Sequence, residues 1–210
     1  MDQFAMSETP VSNVRNFVIL GHSGSGKTTL TDAVAFKLGL NDRMGLVVNG
    51  SSVSDTSEEE KNRKITLFAN SFTAMNKIGE EEYKVVFTDS PGFMDFCGQI
   101  QGAVRAADFA LITVDATAGV QVGTRRAWKS CKEGGLASVA FVITGLDKDN
   151  ADFSKTVAAI RDAFGMNCVP VTAPISADAV ANILDTTDLP APLQEIRNRS
   201  EERRVGKECS

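Results

Sequence analysis

A doubly wound α/β domain, with a mostly parallel sheet and helices on both faces, is the fold this sequence predicts. Two observations carry the prediction: short apolar runs alternate with stretches of helical spacing, and the first run leads straight into a glycine-rich turn. The runs Phe17–Leu20, Val85–Phe87, Phe109–Val114 and Val139–Ile143 lack the alternation of a half-buried strand, so they read as strands covered on both faces. Between them, Leu30, Val34 and Leu38 recur every four residues. Val120, Thr124, Ala127, Trp128 and Cys131 trace a second helical face, and Phe153, Val157, Ile160 and Phe164 a third. Ile65–Phe72 is a more polar strand candidate, expected at a sheet edge beside Tyr83–Asp89 through a turn near Gly79. Ahead of it, Asn41–Lys64 is polar and rich in Ser, Glu and Lys. A long polar loop inside a compact domain is expected to be a functional segment ordered by a ligand.

The 42% hydrophobic and 23% charged residues, in 210 in all, are those of an ordinary globular domain with a full core. A net charge of −5 argues against a chain whose main task is coating nucleic acid. The opening MDQFAMSETPVSNVRN has no apolar core and no run approaches bilayer length, so neither a signal peptide nor a membrane partner is expected. Cys97, Cys131, Cys168 and Cys209 are scattered without CxxC spacing and read as reduced thiols; His22 is the only histidine, which leaves a His/Cys metal site almost nothing to build on.

Gly21–Thr28, GHSGSGKT, fits GxxxxGK(S/T) and lies between the strand FVIL and a helix, the context this motif requires. Its glycines let successive backbone N–H groups and the positive end of a helix face phosphate oxygens. Lys27 is placed to reach the outer phosphates and the Thr28 hydroxyl to bind Mg²⁺. The expected fold is therefore that of a P-loop NTPase. A second motif, Asp89–Phe96 (DSPGFMDF), follows the strand YKVVFT directly. An acidic residue ending a strand beside a P-loop is suited to a second Mg²⁺ contact, and the Gly92 N–H to sensing a γ-phosphate.

These motifs, in this order, resemble the GTPase domain of elongation factor G. RNFVILGHSGSGKTTL is similar to its opening, and KNRKIT places Thr66 where the first switch closes over Mg²⁺ and the γ-phosphate. DSPGFMDFCGQIQGAVRAADFALITVDATAGVQVGTRRAW resembles the second switch and the elements after it, and FVITGLDKDNADF the base-recognition strand and loop. The resemblance runs from about Arg15 to Ile175 and is nearest to the divergent elongation-factor-G-like branch. It implies GTP or GDP and Mg²⁺ as ligands, the ribosome as partner, a cytoplasmic location and a monomer. The implied nucleotide contacts are Gly21, His22, Ser23, Gly24, Ser25, Gly26, Lys27, Thr28, Thr29, Gly92, Thr144 and Asp147, and the implied Mg²⁺ contacts are Thr28, Thr66 and Asp89.

Three departures from the family pattern bear on activity. The base-reading NKxD appears as Thr144-Gly145-Leu146-Asp147. Asp147 can still accept from the guanine N1 and N2 groups, but the lost amide contact costs about 1–3 kcal/mol. Phe93 stands where the family has the histidine that orients the attacking water, a kind of group that contributes roughly 10²–10⁴ in rate. Slow hydrolysis is expected, with no certain catalytic residue. Gly24 stands where an acidic residue often lies, which removes a charge that would help a monovalent cation. A GTPase switching Asn41–Thr66 and Ser90–Asp95 is the first reading. A GTP-dependent regulator with little hydrolysis and a P-loop NTPase of relaxed base choice are the alternatives.

Residues 1–14 are expected to be a flexible start and 15–175 the GTP-binding domain. Ser176-Ala177 is either the SA base loop of a small GTPase or part of the lead into an inserted subdomain over 176–198, and VPVTAPISADAVANILD favours the second. Arg199–Cys209, RSEERRVGKEC, resembles the conceptual translation of a sequencing adapter. Residues 199–210 are expected to be non-native and the natural chain to continue past Asn198.

Overall fold

The computed structural model describes residues 9–136, 138–165, 168–176 and 179–182. The tail expected to be non-native, and most of the expected inserted subdomain, lie outside the described residues. Two compact units are present: one takes in Val114 and the residues before it with Gln121–Thr144, the other Asp115–Val120 with the residues from Gly145 onward. The first unit holds β1 (Val14–Gly21), β2 (Asn70–Ile78), β3 (Glu81–Asp89), β4 (Phe109–Asp115, its last residue assigned to the second unit) and β5 (Ser138–Thr144) in the order β2-β3-β1-β4-β5. β1 is parallel to both β3 and β4, and β2 is antiparallel to β3. Its helices are α1 (Lys27–Lys37), the short α2 (Glu58–Arg63), α3 (Cys97–Ala106) and α4 (Val122–Glu133).

The central strand explains the two-sided burial. In β1, Val18 and Leu20 join one cluster with Val104, Ile112, Ala127 and Cys131, and Phe17 and Ile19 join another with Ala35 and Phe87. Alternate residues of one strand thus feed opposite faces, each covered by helices, as the unbroken apolar run requires. On one face four rings stack across four strands: Phe109 on Phe17 at 5.1 Å, Phe17 on Phe87 at 5.8 Å and Phe87 on Phe72 at 5.3 Å.

The edge strand is displaced from its expected place. It begins at Asn70, not at Ile65, and runs on to Ile78 before turning at Gly79, which has φ +63°. The reason is local hydrogen bonding. The Glu60 carboxylate accepts from the Leu67 N–H at 3.0 Å and the Phe68 N–H at 3.3 Å, and the Ala69 N–H donates to Gln99. Donors already engaged by side chains cannot enter a ladder.

The second unit contains α5 (Phe153–Phe164), whose first turn is capped by the Asp152 carboxylate accepting from the Lys155 N–H at 2.8 Å. Thr156 donates to the Ala116 carbonyl at 3.2 Å, which fastens this helix to the 115–120 loop. β6 (Thr172–Ser176) and β7 (Ala179–Asn182) pair as an antiparallel hairpin, so Ser176 ends a strand. Among the described residues no helix is long and apolar enough to cross a membrane.

Phe87 is fully buried in the middle of the ring stack, whereas Phe68 is 52% exposed. Phe87→Ala is expected to cost about 3–5 kcal/mol of unfolding free energy, and Phe68→Ala less than about 0.5 kcal/mol, in urea melts. Equal losses would contradict this account of the core.

Candidate functional site

β1 ends at Gly21 and α1 begins at Lys27, so the glycine-rich motif is the turn between a strand and a helix. Gly21 has φ +148°, and a Cβ there would lie 2.7 Å from Ser25 Oγ and 2.8 Å from the Thr113 carbonyl oxygen. Only glycine fits. Ser25 closes the loop: its hydroxyl donates to the His22 carbonyl at 2.7 Å and lies 2.7 Å from Thr113 Oγ1. Lys27 folds back over the turn and donates to the same His22 carbonyl at 2.9 Å. Its ammonium is buried, and burial pulls its pKa down to about 8 against the upward pull of the Asp89 charge. His22 contributes a carbonyl to this arrangement; its Nδ1 is buried without a hydrogen-bond partner and faces Gly123, where a Cβ would approach it to 2.5 Å.

Beside the turn lies a cavity of about 170 Å³. Ser23, Gly24, Gly26, Lys27, Thr28 and Thr29 line one side, Val47, Asp55, Lys64, Ile65 and Thr66 another, and Gly92 and Phe93 a third. Gly92 packs so closely that a Cβ would collide with Lys27 Nζ and reach 2.9 Å from Ser23 Cα. The Pro-Gly turn is pinned from behind by Ser90, whose hydroxyl donates to the Ile19 carbonyl at 2.7 Å. Phe93 is 38% exposed and presents a hydrocarbon ring at this cavity.

Thr28 and Thr66, distant in sequence, meet with their hydroxyl oxygens 2.9 Å apart, and Thr66 donates to Asp55 at 3.1 Å. Asp89 ends β3 and is fully buried; its Oδ2 accepts from Ser54 at 2.6 Å, and its Oδ1 has no hydrogen-bond partner. Burial pushes the Asp89 carboxyl from the ordinary 3.8 up to about 6, against the Ser54 hydrogen bond and the Lys27 charge. Two hydroxyls and an unpartnered carboxylate oxygen are hard donors of the kind Mg²⁺ takes. Among the described residues no three His, Cys, Asp or Glu side chains gather into a metal cage. An ion here would complete its shell with ligand and water oxygens, as Mg²⁺ commonly does at phosphates.

The segment read as a polar, ligand-ordered loop has structure of its own. Ser57 caps α2 in a reciprocal box with Glu60, a pattern readable in the sequence as Ser-x-x-Glu. Glu60 is fully buried; burial works to raise its pKa, but hydrogen bonds from Ser57, Leu67 and Phe68 outweigh it and the carboxyl is lowered. Asp32, on the buried face of α1, accepts from the Ser52 hydroxyl at 3.2 Å and the Val53 N–H at 2.9 Å. Asp32, Ser54, Asp55 and Glu60 were not singled out from the sequence. Only the capping box left a local signal; the others are recognisable once α1, β3 and this segment are in contact.

Thr144 ends β5, and its hydroxyl donates to the Ser25 carbonyl at 2.9 Å, with the Val114 carbonyl 3.3 Å away. It ties this strand to the phosphate-loop turn. In the second unit, Asp147 is exposed on a turn closed by the Lys148 N–H donating to the Gly145 carbonyl at 3.2 Å. Lys148 forms a 2.5 Å ion pair with Asp115, whose other oxygen accepts from the Thr117 N–H at 2.8 Å. Burial tends to raise the Asp115 pKa, but Lys148 and Thr117 outweigh it and hold it at about 2.

The sequence matches the family described as Elongation factor Tu GTP binding domain over residues 12–203. Two proteins of Mycobacterium tuberculosis, from strains CDC 1551 / Oshkosh and ATCC 25618 / H37Rv, both named Elongation factor G-like protein, are each 36% identical over 173 residues. The match covers 81% of this chain and 23% of each relative, so the chain spans about a quarter of their length. A crystal structure from Thermus thermophilus superposes with a TM-score of 0.80 at 31% identity, over 91% of this chain and 31% of that one.

The Asp89 shift sets a pH dependence. Between pH 3.8 and about 6 the folded chain keeps a proton that the unfolded chain releases, so this group's contribution to stability falls as pH rises through that window. In the nucleotide-free protein, Asp89→Asn is expected to flatten this slope and to stabilise the fold above it by on the order of 1–3 kcal/mol. Denaturant melts across pH check it, and an unchanged slope contradicts it.

Proposed function

The chain belongs to the family of the Elongation factor Tu GTP binding domain, and from that premise we propose that it is the Mg²⁺-dependent GTPase module of an elongation-factor-G-like protein that acts on the ribosome. The observation carrying this reading is the meeting of Thr28, Thr66 and Lys27 around one cavity, with Asp89 buried nearby, coupled to Lys27 and bonded to Ser54.

In this reading the N–H groups of Gly21–Thr29 and the N-terminus of α1 hold phosphate oxygens, and Lys27 exchanges the His22 carbonyl for them. Thr28 and Thr66 would hold Mg²⁺, with Asp89 orienting its water. The ion supplies charge neutralisation at the phosphates. Gly92 brings its N–H to the γ-phosphate side of the pocket, and its lack of a side chain is what leaves room for Lys27. Asp147 accepts from guanine N1–H and N2–H, while Thr144 takes over the anchoring of the base strand to Ser25. The cytoplasm is the proposed location, with the chain monomeric.

Phe93 favours a second reading, a GTP-dependent ribosome-binding regulator with little hydrolysis. Its ring lines the phosphate cavity with no polar atom to orient a water or take a proton. Under either reading, the nucleotide state acts through Asn41–Thr66 and Ser90–Asp95.

Two outcomes test these readings. Asp147→Asn is expected to lower GDP affinity by about tenfold or more and to favour a xanthosine diphosphate, whose C2 carbonyl accepts from an amide. Unchanged preference in competition binding overturns the base assignment. Phe93→His is expected to raise single-turnover hydrolysis on ribosomes by about tenfold to a hundredfold, and no increase removes Phe93 as the cause of slow turnover.

A further inference from the structure

Gly145 occupies the second position of the base loop, where φ is +67° and no side chain projects. The space beside it is filled from three residues further along. A Cβ on Gly145 would lie 3.1 Å from Lys148 Cε, 3.2 Å from Cδ and 3.2 Å from Nζ, so the lysine stem runs back across the glycine. The same lysine closes the turn by its backbone, donating to the Gly145 carbonyl at 3.2 Å, and its carbonyl accepts from the Ala151 N–H at 3.2 Å. Its ammonium is fixed 2.5 Å from Asp115 Oδ2. Asp115 is only 9% exposed at its side chain and its Oδ1 is held by Thr117 through both N–H and hydroxyl, at 2.8 and 2.5 Å.

We propose that Lys148 is a positioning residue for base recognition: its stem braces Gly145, and its ion pair with Asp115 fixes the turn that presents Asp147. The inference deepens the proposed function and rests on Asp147 reading guanine. An exposed ion pair contributes little stability, because water screens it and ordering a long side chain costs entropy. Here one partner is nearly buried and already immobilised by two other hydrogen bonds, so the pair holds a defined geometry. Asp147 lies immediately before Lys148, within the turn that Lys148 closes. Releasing the turn lets the carboxylate sample orientations in which its two oxygens no longer match two adjacent donors, and recognition that depends on alignment falls. Phosphate binding has no such dependence, since none of these residues belongs to the phosphate-loop motif.

The test compares GDP, ADP and inorganic tripolyphosphate binding by calorimetry for the full chain carrying Lys148→Ala, Lys148→Arg, Asp115→Asn or Asp147→Asn. The expected result is a loss of about tenfold in GDP affinity for Lys148→Ala and Asp115→Asn. ADP and tripolyphosphate binding stay unchanged, Lys148→Arg retains GDP affinity, and the double variant Asp115→Asn/Lys148→Ala is no weaker than either single. A parallel fall in GDP and tripolyphosphate overturns the proposal by showing a general defect of the fold. If Asp147→Asn changes GDP binding selectively and Lys148→Ala does not, the positioning role fails while the base reading stands. If Asp147→Asn has no selective effect, the base reading fails and the proposal with it.

Discussion

Lys27 and Asp89 are both buried at one site, and neither is satisfied by the other. Among the described residues they form no direct ion pair; the ammonium rests on the His22 carbonyl, and the carboxylate on Ser54 with its second oxygen unpartnered. Burial drives each toward its neutral form, to about 8 for the lysine and about 6 for the aspartate. Charges held out of water in this way cost stability until a partner of opposite sign arrives. In the proposed reading, phosphate oxygens would supply that partner to Lys27, and a divalent cation would supply it to Asp89. The site keeps this unfavourable arrangement because the sheet enforces it: β1 and β3 are parallel neighbours, and their carboxyl ends deliver the phosphate-loop turn and Asp89 side by side.

The same constraint reaches the segment from Asn41 to Thr66. Ser54 hydrogen-bonds Asp89, Thr66 hydrogen-bonds Thr28, and Asp32 holds Ser52 and Val53 onto α1. Of these contacts, those of Ser54 and Thr66 fall directly on Asp89 and Thr28, the residues proposed to face the cation. Under the proposed function, a ligand that engaged Asp89 or Thr28 would compete with Ser54 and Thr66 for the same atoms, which is how the segment would sense it. On the other side Gly92 is pressed against Lys27 and Ser23, so the Pro-Gly turn packs on the same lysine.

The α/β architecture was legible because β1 carries an unbroken apolar run, and because GHSGSGKT fixes a strand before it and a helix after it. The edge strand was misplaced because the apolar pattern around Ile65 says nothing of where its N–H groups go, and Glu60 takes two of them. The Ser57–Glu60 box left a Ser-x-x-Glu signal in the sequence and marks the one α-helix inside a stretch otherwise read as loop. Asp32, Ser54 and the Asp115–Lys148 pair were not legible. Their partners are 20, 35 and 33 residues away, and a lone acid or lysine at such separations carries no periodic signal. Thr144 was read as a loss of base contact; the geometry adds that its hydroxyl is occupied in binding the phosphate-loop backbone.

Thermal unfolding of the full chain with GDP and Mg²⁺, with GDP and a chelator, and with ADP and Mg²⁺ tests the central claim most directly. Stabilisation follows ligand concentration over dissociation constant, reaching about 2.7 kcal/mol at a hundredfold excess. A site whose buried lysine and aspartate await phosphate and cation predicts a large rise in Tm with GDP and Mg²⁺. The rise should be smaller once the cation is removed and smaller still with ADP. Equal shifts in all three conditions, or none, would contradict it.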